Sequence, residues 1–195
     1  TLSTILTENS SNANLGQVAT TKKVFHRDST GGLIMTTSHS HLETSLVDRM
    51  NEAGKKFLNS LSSNQKEKAC FEYLDGERIF WYYPPMNRHG LALRDMDGSQ
   101  RELAFDLMST GLTETSYQQA RKIIDLESVL GPLEKEQGAI SFRRDPELYY
   151  FTIFGEPDGD GPWSWRTEGH HVSLHFSVWK DEVISMTPFF FGANP

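Results

Sequence analysis

Between Leu42 and Leu61, Leu42, Leu46, Met50, Ala53, Phe57 and Leu58 recur at helical spacing, with Glu43, Asp48, Arg49, Glu52, Lys55 and Lys56 on the opposite side, and this predicts an amphipathic helix. Ser62 followed by Gln65 fits a capping box and predicts a second, short helix through Lys68 and Cys70 to Phe71. Ile79 to Tyr83 is an apolar, aromatic run that ends at Pro84-Pro85, which reads as a strand entering a fixed loop. Helical spacing returns over Gln100–Met108 and Tyr117–Leu133, with Gly111 as a stop between them and Thr115 facing Gln118 as a further capping pair. The period then changes. Leu148–Phe154, His170–Val178 and Glu182–Met186 alternate or are β-branched and aromatic, and Lys180-Asp181 reads as a hairpin tip. Helices followed by strands, rather than strict alternation, predict an α+β fold with a helical N-terminal half packed on an antiparallel sheet formed by the C-terminal third.

The stretch before Leu42 has no such periodicity. Thr1 to Ser40 is rich in Ser, Thr, Asn and Gly, and the expectation is an extended polar arm over 1–41 beside a single α+β domain over 42–195. A first residue Thr1, rather than Met, fits a processed or secreted product. The apolar run Met186–Phe191 is broken by Thr187 and Pro188 and is far shorter than the roughly 20 residues that span a bilayer, so no membrane partner is expected. A formal charge of −7 with scattered Lys and Arg argues against nucleic acid as a partner. The lone Cys70 excludes an intrachain disulfide and is expected to fill the core.

Candidate chemistry concentrates in Pro162–Phe176, PWSWRTEGHHVSLHF, which holds two Trp, an Arg, a Glu and three of the seven His. On a strand, Val172, Leu174, Phe176 and Val178 share the core face with His170, while His171, Ser173, His175 and Ser177 share the other. Three arrangements stay open. A metal, most simply a transition metal ion, can be held by His171, Glu168 and His175 with ligands from other segments, because His171 and His175 lie about 13 Å apart on a strand and cannot share one ion directly. Alternatively His170 or His171 acts as a general base beside Glu168, with Arg166, Trp163, Trp165 and His89 binding a small polar or anionic substrate. In the third, the histidines satisfy buried hydrogen bonds at a sheet end. Three other features read as structure first: His39 and His41 as exposed polar residues before a helix, GEPDGDG at 155–161 as a turn rather than a cation loop, and Glu77, Arg78, His89, Arg94 and Asp95 as an ion-pair array.

The ordered series ERIFWYYPPMNRHGLALRDM, QRELAFDLMSTGLTETSYQQARKIIDLESVL, FTIFGEPDGDGPWSWRTEGHHVSLHFSV and TPFFFGANP resembles the family catalogued as domain of unknown function 3500 over most of Phe57 to Pro195. The resemblance carries no function with it. It implies a chain that continues past Pro195, so that this one corresponds to the front portion of a longer unit. Consecutive Phe189, Phe190 and Phe191 likewise predict that something covers the last strand, either a homo-oligomer or a complementary C-terminal fragment. Three function classes follow: an enzyme with a His/Glu/Arg/Trp site, a module that binds a small or carbohydrate-like ligand between Trp163 and Trp165, and a structural subunit.

Overall fold

The computed structural model describes residues 21–27, 33–39, 44–138 and 144–192, and divides the chain into two units, Thr1–Thr44 and Ser45–Pro195. In the first unit β1 (Thr21–Arg27) pairs antiparallel with β2 (Leu33–His39), with Val24 opposite Thr36. Both strands lie within the segment read as a polar arm. His39 ends β2, and His41 lies outside the described residues.

The second unit is α+β, as expected. Its helices are α1 (Leu46–Ser60) and α2 (Ser63–Ala69), then α3 (Gly98–Thr110) and α4 (Glu114–Glu136). Each starts on a side-chain cap: Ser45 accepts from Asp48 N, Ser62 from Gln65 N, Asp97 from Gln100 N and Thr113 from Ser116 N. The cap of α4 is thus Thr113 rather than Thr115. In α1 the buried stripe is Val47, Met50, Asn51, Gly54 and Phe57, which leaves Leu46 exposed because that residue only opens the helix. Gly111 ends α3, and a Cβ there would come within 2.6 Å of the Phe176 ring.

Short strands β3 (Cys70–Phe71) and β4 (Leu91–Ala92) precede the main run of β5 (Tyr150–Phe154), β6 (Trp163–Gly169), β7 (Val172–Trp179), β8 (Glu182–Ser185) and β9 (Phe189–Phe191). Together they form one seven-stranded sheet. Its middle is the β5-β6-β7 meander. One free edge of β5 is shared by β4, antiparallel, and β3, parallel, while that of β7 is shared by β9 and β8. The sheet is therefore mixed rather than wholly antiparallel, since the chain leaving α2 runs in the direction of β5. Lys180-Asp181 forms the predicted hairpin tip between β7 and β8.

Two departures from the periodicity reading matter for the site. Ile79–Tyr83 is not a strand: Gly76–Ile79 is a 3-10 turn, and the chain from Phe80 to Gly90 runs as an irregular strap. His170 and His171 are not in β7 but form the two-residue turn that joins β6 to β7, with His171 in the left-handed region at φ 56°.

Strand parity divides the sheet into two buried faces. Phe151, Ile153, Trp163, Trp165, Val172, Leu174, Phe176 and Val178 join the helices in one apolar core. Thr152, Ser164, Arg166, Glu168, Ser173, His175 and Ser177 occupy the opposite face and are buried too. Among the described residues no helix is long and apolar enough to cross a membrane.

Candidate functional site

A polar sheet face in a monomeric antiparallel fold normally meets water. Here charge is buried, and the strap supplies its partners. Arg166 donates through Nη1 to the carbonyls of Glu77 (3.0 Å) and Phe80 (2.6 Å), and through Nη2 to Glu77 Oε1 at 2.7 Å. Glu168 accepts from the backbone N–H of Tyr82 and from Ser173 Oγ, each at 3.1 Å. Its other oxygen lies 3.6 Å from Nε of both Arg88 and Arg166. Arg88 collects the carbonyls of Tyr82, Pro84 and Met86 and reaches across to that of Gly169. Arg88 thereby folds the Pro84-Pro85 loop and ties it to the end of β6. Burial raises the Glu168 carboxyl above its ordinary value against the pull of Arg166, the Tyr82 N–H and Arg88.

The residues nominated from the sequence therefore scatter over different tasks. Glu168 and Arg166 hold the strap. Trp163 and Trp165 lie in the helix-facing core, the first donating to Asn51 Oδ1 at 2.8 Å and the second stacked on Phe176 at 4.7 Å, so neither offers a face to a ligand. His89 is exposed and meets Glu77 Oε2 at 2.7 Å. His175 stacks on Phe154 and meets Ser164 Oγ at 3.0 Å, and burial pushes its pKa down to about 3. The trio His171, Glu168 and His175 is not assembled: the residues have separate neighbours, and among the described residues no group of three His, Cys, Asp or Glu side chains is placed to hold a metal. Residues 155–161 form a turn, from which Asp158 pairs with Lys55.

His170 finds a partner the sequence did not suggest. Its Nδ1 meets Glu127 Oε1, from α4, in a close buried contact, and Arg144 Nη1 lies against the imidazole, 3.0 Å from Nδ1 and 2.8 Å from Nε2. A carboxylate oxygen accepts, so the contact with Glu127 is made by Nδ1 as an N–H donor. Arg144 is fixed in turn by two contacts with Glu134, at 2.6 and 2.9 Å. Tyr149 donates to the His170 carbonyl at 2.7 Å, and its ring covers Gly169, where a Cβ would come within 2.1 Å of it.

These groups border a recess lined by Pro85, Met86, Arg88, Glu127, Asp145, Leu148, Tyr149 and His170. Helix, strap and hairpin turn meet there. The recess has room for about one water. The His171 ring packs edge-on against that of His170, with centroids 4.2 Å apart, and reaches toward Tyr83 and Phe190; burial lowers its pKa with help from neighbouring His170.

Glu127 had a signal in the sequence, since Ala120, Ile123, Ile124 and Glu127 follow one helical stripe and a charge on that stripe must find a buried partner. Arg88 and Arg144 had none, because their roles depend on contacts distant in the chain. No curated protein and no solved structure matches the chain. The family whose description reads protein of unknown function (DUF3500) matches residues 43–195, and on that match, which spans the second unit with its strap, polar sheet face and His170 turn, the chain belongs to this family.

Proposed function

We propose that this protein is an enzyme that transfers a proton on a small polar substrate, with His170 as the acid–base group and Glu127 as the carboxylate that orients it. The observation that carries this reading is the His170–Glu127 pair beside a recess. A buried carboxylate on Nδ1 fixes the tautomer and ring, leaving Nε2 to exchange a proton with a substrate. Arg144 Nη1 lies against both ring nitrogens, and a substrate group that reaches Nε2 displaces it. Because the recess is so small, admission of a substrate requires Pro85 and Met86 to move outward.

Relative to the sequence expectation, His170 keeps the catalytic role, Glu127 takes the place of Glu168, and the substrate contacts fall to Arg144 and Arg88 rather than Arg166 and the Trp pair. The test is a turnover screen of carboxylic ester, amide, phosphoester and lactone substrates with wild-type, His170→Gln and Glu127→Gln proteins. Expected is turnover that falls about 10²-fold or more in His170→Gln and less in Glu127→Gln, with unchanged circular dichroism. Equal turnover in folded variants, or none with any substrate, overturns the reading.

A further inference from the structure

The strap inverts the usual arrangement of a surface loop. Four consecutive aromatic residues, Phe80, Trp81, Tyr82 and Tyr83, are 51%, 43%, 42% and 53% exposed, while the backbone between them is held from below by buried charge. Arg166 binds the Phe80 carbonyl, Glu168 the Tyr82 N–H and Arg88 the Tyr82 and Pro84 carbonyls. The His171 N–H adds a bond to the Tyr83 carbonyl at 3.0 Å. The rings face outward on a fixed backbone, and that preorganisation lowers the ordering cost of binding.

Trp81, Tyr83 and Phe190 form a triangle of ring centroids 6.0 to 6.5 Å apart. His171 joins it at 6.1 Å from Tyr83 and 6.3 Å from Phe190. His171 brings two observations of its own: a left-handed backbone in a residue other than glycine, and a buried Nδ1 with no hydrogen-bond partner among the described residues. Trp81, Tyr83 and Phe190 carry no formal charge at neutral pH, and burial lowers the pKa of His171.

We propose that Trp81, Tyr83, Phe190 and His171 form a binding site for a neutral carbohydrate. Sugars offer an apolar C–H face to stack on aromatic rings, and hydroxyls for the indole N–H, the Tyr83 hydroxyl and the imidazole edge. A purely apolar occupant leaves those polar edges unpaired. The absence of charge within the cluster, on a chain of net charge −7, disfavours anionic ligands. The site adjoins His170 through the edge-on contact of the two imidazoles, but binding there does not require proton transfer at His170.

The experiment is calorimetric titration of the protein with cellohexaose, xylohexaose, mannohexaose, chitohexaose and maltohexaose, each to about 5 mM, a range that captures millimolar affinities. At least one binds, Trp81→Ala weakens it by about tenfold or more, and Trp179→Ala, which alters an exposed Trp outside the cluster, leaves it unchanged. If Trp81→Ala does not fold, Tyr83→Ala carries the same expectation. The proposal is overturned if none of the five binds, if Trp81→Ala and Trp179→Ala lose affinity equally, or if sedimentation shows that Trp81→Ala disrupts a dimer while no saccharide binds.

Discussion

At the scale of the residue, His175 shows how a side chain suited to a site can be spent on structure. It is buried on the polar face between Phe154 and Ser164, and desolvation, with smaller contributions from Arg166 and Arg78, pushes its pKa from 6.5 down to about 3. A depressed folded-state pKa means that the unfolded chain binds the extra proton first, so stability is lost as pH falls from 6.5 toward 3, by at most about 1.4 kcal/mol per pH unit. Glu168 has the opposite sign: its raised carboxyl contributes stability below its ordinary value of 4.5 and loses it as pH rises through the folded-state value. The contribution of His175 is isolated by urea unfolding of wild-type and His175→Gln proteins across pH 3 to 7. The variant should show the shallower acid-side slope, and parallel profiles would refute the assignment. Sequence parity had correctly put His175 opposite the apolar core; what it could not show was that the opposite face is dry.

At the scale of the element, the start of α2 was legible because a capping box is local, whereas the cap of α4 fell two residues before the one the sequence suggested. Ser62 with Gln65 reads directly from the sequence, and the structure gives α3 the same device in Asp97 with Gln100. The two boxes also interlock. Gln65 Nε2 donates to Gln100 Oε1 at 2.8 Å, and Gln100 Nε2 returns a bond to Gln65 Oε1 at 3.0 Å, while further bonds reach the Asp95 and Ser60 carbonyls. One amide pair therefore caps α2 and α3 and joins them. Gln100→Ala removes the reciprocal half of the α3 capping box and the bonds to Gln65 and the Ser60 carbonyl, which should cost about 1–3 kcal/mol by chemical denaturation. A change within 0.3 kcal/mol, roughly the error of such a measurement, would show that the interlock contributes nothing. The aromatic run at Ile79–Tyr83 failed as a strand because its backbone groups are taken by side chains of the sheet, the Phe80 carbonyl by Arg166 and the Tyr82 N–H by Glu168, rather than by another strand.

At the scale of the whole molecule, the second unit is a sheet with two different covers. Helices cover its apolar face through dispersion and the hydrophobic effect, and the strap covers its polar face through buried ion pairs and carbonyl contacts. Buried ion pairs contribute little net stability when complete but cost much when one partner is lost. Arg88→Ala is thus expected to release the strap while the helix-covered core persists. Limited chymotrypsin digestion followed by mass spectrometry should find cleavage at Phe80 to Tyr83 accelerated about tenfold or more over wild type, with the remaining fragments protected. Unchanged cleavage, or digestion of the whole chain at one rate, would show that Arg88 is not the fastening.

The sequence by itself determined what depends on neighbours along the chain: the α+β order, the capped start of α2, the hairpin tip at Lys180-Asp181, the apolar parity of Val172 to Val178, and the family, carried by the ordered motifs around the paired histidines. The tertiary structure decided the partners. Trp163 and Trp165 became core because register with Val178 and Phe176 places them on the helix-facing side, and Glu168 became a fastening because the strap crosses it. His170 gained Glu127 from a segment 43 residues away. Hydrogen bonding and burial are set by proximity in space, and side chains as mixed as those of Pro162–Phe176 take either a structural or a chemical role according to which distant segment closes over them.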